Sequence, residues 1–126
     1  VLYPPDLQVR ANAERWMDWA TAQVQPVITP VFWNLVRVAA EKRNLAAITE
    51  NTVATNRTMA VLEWGLAKTP YLGGQNLGMG DIVVGAWVHR WYALPIDRPE
   101  LPQVRAYYDR LLERAAYRDQ VARPLS

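Results

Sequence analysis

Leu77-Gly78-Met79-Gly80-Asp81-Ile82 decides the fold, because it reads as the start of a helix that then stays apolar on almost every side as far as Leu94. A helix of that kind belongs at the centre of a fold. Asp81 lies three residues after Gly78, so its carboxylate can turn back onto the orphan N–H at the cap and meet the positive end of the helix dipole. Leu77 and Ile82 hold the two positions of a hydrophobic staple. Such a box stabilises by about 0.5 to 2 kcal/mol and sets the angle at which the chain enters the core. Glycine at the cap supplies no side-chain acceptor, so only the Asp81 half of the box is available.

Upstream, Asp6 is a plausible N-cap. From there Val9, Ala13, Trp16, Met17, Ala20, Val24, Val27, Ile28, Val31, Leu35 and Val38 recur at helical spacing. Pro26 and Pro30 fall inside this stripe, and each removes an amide donor and crowds the carbonyl four residues earlier. The pattern predicts one kinked helix, or two nearly collinear ones, over residues 6–40. Residues 41–47 read as a polar connection. Thr49 as N-cap, with Ile48 and Val53 as staple, predicts a second helix ending near Lys68. Its inner face is Thr55, Met59, Leu62 and Leu66, with Ala60, Trp64 and Ala67 beside them. Pro70 stops that helix, and Gly73-Gly74 turns the chain into the central one.

After Leu94, Pro95, Pro99 and Pro102 impose an extended crossing. Pro102 suits the first turn of a further helix that faces Val104, Tyr108, Leu111 and Ala115 inward, and a short final turn follows at 117–121. No strand-like alternation and no internal repeat occurs. The expectation is an all-α bundle of about five helices with one buried in the middle, a single domain over residues 1–126, with 1–5 as the end of an arriving linker.

Composition agrees with this. The 126 residues are 51% hydrophobic and 21% charged, ordinary for a globular domain, and six tryptophans with six tyrosines supply large rings for core, interface or pocket. Cysteine is absent, which excludes a disulfide, a thiolate ligand or a thiol nucleophile within this chain. The net charge is only +2, and Asp109, Glu113 and Asp119 interrupt the arginines near the C-terminus, so a nucleic-acid face is not expected. No apolar run is long enough for a membrane span, and a cytoplasmic protein is expected. The single histidine, His89, reads as a local hydrogen-bonding residue. Asp18, Glu63 and Asp81 are too scattered for an acid–base pair. The residues point to no catalytic group and no metal site.

Several stretches together resemble the C-terminal helical domain of the glutathione S-transferases, closest to bacterial members. They are residues 70–74 with 77–82, Arg15-Trp16-Met17-Asp18-Trp19, Pro30-Val31-Phe32-Trp33-Asn34-Leu35-Val36-Arg37, and Leu101-Pro102-Gln103-Val104-Arg105-Ala106-Tyr107-Tyr108. The family usually has Ser or Thr where Gly78 stands, and often Arg-Pro near Ala115. The resemblance implies an enzyme of two domains that conjugates glutathione to electrophiles, with glutathione as co-substrate rather than cofactor. A thioredoxin-like N-terminal half, which nothing in this sequence resembles, would bind glutathione and carry the catalytic group. It implies that Val27, Phe32, Trp33, Val36 and Arg37 wall a hydrophobic electrophile site. It also implies a homodimer, with Asn12, Arg15, Trp19 and Asn56 as candidate contacts. The chain alone would then be inactive. The competing reading is a non-catalytic interaction module of the same fold, since relatives of this domain join proteins together in elongation factors and aminoacyl-tRNA synthetases.

Overall fold

The computed structural model of the chain describes residues 5–126, so all but Pro5 of the expected linker lies outside the described residues. Helix α1 (Leu7–Trp19) starts at the expected cap. The Asp6 carboxylate accepts from the N–H groups of Gln8 at 2.8 Å and Val9 at 3.2 Å, satisfying two of the orphan donors of the first turn. Helical backbone then continues through a π-helical turn (Ala20–Val24), helix α2 (Gln25–Phe32) and a second π-helical turn (Trp33–Arg37). This is the form the proline distortion takes. Pro26 and Pro30 donate nothing to the ladder, which widens to five-residue steps beside them: Gln25 N–H reaches the Ala20 carbonyl, and Val38 N–H reaches Trp33 at 3.0 Å. The run ends when Val38 turns extended, three residues before the expected limit.

Helix α3 (Leu45–Gly65) begins a turn earlier than Thr49. Asn44 is the cap, its Oδ1 accepting from Ala47 N–H at 3.0 Å, and Thr49 lies inside the helix with its hydroxyl donating back to the Leu45 carbonyl at 3.0 Å. Hydroxyl and amide residues favour both situations, and the asparagine wins the cap. The helix also stops at Gly65, before Lys68, where the Trp16 ring of α1 occupies the space a side chain would need. Thr55, Met59, Leu62 and Leu66 are buried as a single face, whereas Ala60, Trp64 and Ala67 are exposed. Gly74, at a φ of 126°, closes the following turn through reciprocal backbone bonds with Tyr71 at 3.0 and 3.1 Å.

Helix α4 (Met79–Ala93) packs against both α1 and α5 and buries Val84, Gly85, Val88 and Trp91. It is central but not covered all round, since Ile82, Ala86 and Ala93 are exposed. The Asp81 carboxylate turns back to accept from Gly78 N–H at 2.8 Å, and the Asp81 N–H donates to the Gly78 carbonyl at 3.1 Å. Asp81 reaches further than its own cap. Its Oδ1 also accepts from Leu72 N–H at 3.0 Å and from the Tyr107 hydroxyl at 2.8 Å, so one buried carboxylate joins the 70s loop, α4 and α5.

Helix α5 (Pro102–Leu112) has proline in its first turn and no side-chain cap of its own. Glu63 of α3 takes that role, accepting from the N–H groups of Gln103 at 3.0 Å and Val104 at 2.9 Å. Val104, Tyr108 and Leu111 face inward, as does Tyr107, which the predicted stripe omits. Ala115 is exposed and opens helix α6 (Ala115–Gln120), whose buried Tyr117 donates to the Gly85 carbonyl at 2.7 Å. With 7–37 taken as a single helix, the chain is an all-α bundle of five helices with no strand among the described residues.

Candidate functional site

Phe32 ends α2, and its ring is buried with two guanidinium groups near it. Arg90 of α4 has its Cζ 4.1 Å from the Phe32 centroid, and Arg37, from the π-helical turn, lies 5.6 Å from it. Each arginine also meets a tryptophan: Arg37 lies 5.8 Å from Trp33, and Arg90 lies 5.3 Å from Trp87. These are the distances at which a ring quadrupole attracts a cation. Trp33 is 53% exposed, so it presents a ring face at the rim rather than in the core.

A cleft of about 280 Å³ opens here, with Phe32 at its base, Ala86, His89 and Arg90 along α4, and residues of the 120–126 tail opposite. His89 ties that tail down. Its Nε2 is 2.7 Å from the Arg123 carbonyl, which can only accept, so Nε2 carries the hydrogen and Nδ1 of the neutral ring accepts from the Tyr108 hydroxyl at 2.8 Å. Both ring nitrogens are therefore committed, as the sequence reading of a local hydrogen-bonding residue expects. Burial, and secondarily the charge of Arg37, lower the Arg90 pKa from its ordinary value. Neither arginine forms an ion pair with a carboxylate among the described residues. No group of three or more His, Cys, Asp or Glu side chains among those residues could hold a metal ion.

Of the residues expected to wall a pocket, only Phe32 lines this cleft; Arg37 lies near the Phe32 and Trp33 rings beside it, and the half-buried Val36 in the same turn packs onto the core. Val27 does not join them. Five residues before Phe32, it points roughly 140° away around an α-helix. Arg90, Trp87 and His89 are the members that sequence reasoning missed. The i, i+3 pair Trp87 and Arg90 was visible on the central helix, but nothing in the chain's order says that it meets Phe32.

The expected dimer contacts are mostly occupied within the subunit. Asn12 donates to the Leu72 carbonyl at 2.7 Å and accepts from Arg15 at 2.6 Å. Asn56 accepts from Trp91 Nε1 at 2.9 Å and donates to the Asp97 carbonyl at 2.8 Å, and Trp19 packs edge-on against Trp16. Four of the large apolar side chains that lack cover lie instead on α3, Leu45, Val53, Val61 and, most of all, Trp64 at 81% exposure, with Leu7, Trp33 and Ile82 exposed elsewhere.

The family described as glutathione S-transferase, C-terminal domain, matches residues 46–110. The glutathione S-transferase GstB of Escherichia coli K12 is 32% identical over 117 residues, 93% of this chain and 56% of its own length. The disulfide-bond oxidoreductase YfcG of the same organism is 30% identical over 107 residues, 85% of this chain and 49% of its own. The chain thus spans about half the length of the curated relatives it matches. A theta class glutathione S-transferase from Xanthomonas axonopodis pv. citri, solved with glutathione bound, superposes with a TM-score of 0.95 at 38% identity, covering 99% of this chain and 66% of that one. The arrangement of five helices about a capped central one, matched in sequence and in structure, makes this chain a member of the glutathione S-transferase C-terminal domain family.

Proposed function

We propose that this chain is the helical half of a two-domain glutathione transferase, in which it holds the electrophile while an N-terminal thioredoxin-like half binds glutathione and activates its sulfur. The observation that carries this reading is the cluster of Phe32, Trp33, Arg37 and Arg90, of which Phe32 and Arg90 line a cleft, in a chain that has no cysteine and whose one histidine is fully hydrogen-bonded. Such a site can position a substrate but supplies no nucleophile, which suits a division of labour between two domains. The similarity to whole transferases over about half to two thirds of their length supports it further. Phe32, Trp33, Val36 and Arg37 form the wall, joined by Trp87 and Arg90. Val27 stands behind them in this reading.

The capping box of Leu77, Gly78, Asp81 and Ile82 is structural: it angles α4 so that Arg90 arrives over Phe32. The homodimer of this reading forms through α1 and α3, with Trp64, Val61 and Val53 supplying the apolar contact area, Arg15 and Trp19 at its edge, and Asn12 and Asn56 bracing the helices from within. Among the described residues no helix is long and apolar enough to cross a membrane. We place the protein in the cytoplasm, where a thiol co-substrate stays reduced.

Calorimetry with glutathione on the 126-residue chain and on the same chain joined to its N-terminal half, followed by turnover of a neutral aryl halide, tests the reading. Binding and turnover only by the longer protein are expected. If neither binds glutathione, the transferase reading fails and the chain is an interaction module of this fold.

A further inference from the structure

We infer that the paired guanidiniums of Arg37 and Arg90 form a carboxylate subsite, so that the electrophile this domain takes is an aromatic or apolar molecule bearing a carboxylate. The inference rests on the proposed electrophile site and narrows its substrate class. Two cations from different segments lie beside one phenyl ring, at 4.1 and 5.6 Å from its centroid. Like charges brought this close repel, and desolvation of Arg90 adds to that cost. Proteins ordinarily relieve such an arrangement with a carboxylate, and among the described residues no Asp or Glu is paired with either arginine. No Asp or Glu lines the adjoining cleft; Arg90 and Arg123 are its charged side chains, and Ser126, whose α-carboxylate ends the 126-residue chain, borders it as well. The guanidiniums are held instead on ring faces, which leaves their N–H edges free to fork onto a planar oxyanion.

The surroundings also define the rest of the ligand. Phe32, Ala86, Val121 and Leu125 line the cleft, and Trp33 and Trp87 lie beside the two arginines, so that apolar and aromatic surface is at hand for an aromatic or alkyl group. A neutral apolar compound would fill that space and leave the partly buried Arg90 and its neighbour Arg37 without a counter-ion. A carboxylate-bearing one neutralises them and gains charge-assisted hydrogen bonds in a partly dry site.

Benzoate and its uncharged isostere benzamide are the probes, titrated into the 126-residue chain with the indole N–H signals of Trp33 and Trp87 followed by NMR. Saturable binding of benzoate, on the order of tenfold or more tighter than benzamide, is expected. Arg37→Gln and Arg90→Gln should each remove most of that difference, and Arg90→Lys should restore part of it. Arg57→Gln, on the exposed side of α3, should leave it intact. Equal affinity for the two probes overturns the inference, as does an equal loss in Arg57→Gln, which would reduce the effect to net charge. Glutathione binding to this chain that depends on Arg37 and Arg90 would also overturn it, assigning the subsite to the co-substrate's carboxylates. The comparison of probes on the unaltered chain needs no variant to fold, and Arg37 is exposed enough to be replaced without disturbing the core. These readouts require no turnover. Loss of transferase activity in the longer protein with benzoate selectivity intact would sink the enzyme reading alone, and turnover of neutral halides without selectivity would sink this inference alone.

Discussion

At the scale of single residues, Asp81 carries the largest electrostatic commitment in the described chain. Its two oxygens accept from Gly78 N–H, Leu72 N–H and the Tyr107 hydroxyl, and it has no exposed surface. Burial raises its pKa above the ordinary value of 3.8, against the pull of those three donors. Asp81→Ala strands all three, and a loss of about 3 kcal/mol or more in urea denaturation is expected. Asp81→Asn should also destabilise, by about 2 kcal/mol, because an amide nitrogen must then face a donor. The pH dependence has a definite sign. As pH rises above 3.8 the unfolded chain releases this proton before the native one does, so the group's contribution to stability is lost up to the raised native pKa. Tyr107→Phe removes one of the donors that hold the pKa down, which widens that window. Its deficit relative to the parent should therefore be larger at pH 7 than at pH 4. Equal deficits would show that the Tyr107 bond does not bear on Asp81 ionisation.

At the scale of elements, the helices were legible where periodicity is long and less so at their ends. The inner face of α3 was correct at Thr55, Met59, Leu62 and Leu66, but its start moved to Asn44 and its end to Gly65. Both shifts have causes outside a propensity argument: two adequate caps compete for the start, and a ring from α1 fills the space at Gly65. Gly65→Ala is accordingly expected to destabilise by about 1 to 3 kcal/mol, although alanine is the better helix former, because Trp16 must move aside. A rise in melting temperature would show that Trp16 can yield freely. The cap of α5 is likewise invisible in its own sequence, since Glu63 belongs to α3. Glu63→Ala should cost about 1 to 2 kcal/mol, while Glu63→Gln, which keeps one acceptor, should cost less. Amide exchange at Gln103 and Val104 would locate the loss.

At the scale of the whole molecule, the uncovered residues of α3 and the cluster over Phe32 are what a helical half would bring to a larger assembly. Trp64→Ala should shift the proposed dimer toward monomer by tenfold or more in dissociation constant, measured by sedimentation, because a large exposed aromatic is the usual anchor of an interface. The melting temperature of the monomer should stay unchanged, since Trp64 packs little within its own subunit. Of the candidate site, Phe32, Trp33 and Arg37 could be named from one stretch of chain, whereas Arg90 could not. It is 58 residues from Phe32 in sequence and 4.1 Å from its ring in space.

The sequence by itself determined that the chain is helical, that one helix is central, where prolines disturb the ladder, and to which family the chain is similar. Those properties follow from the spacing of apolar residues, from caps and from proline chemistry, all of which act within a few residues along the chain. Only the tertiary structure decided which carboxylate caps which helix, that Asp81 joins three segments and that two arginines share one phenyl ring. Those contacts depend on the angles at which helices cross, and the angles come from packing of the whole core rather than from any local pattern.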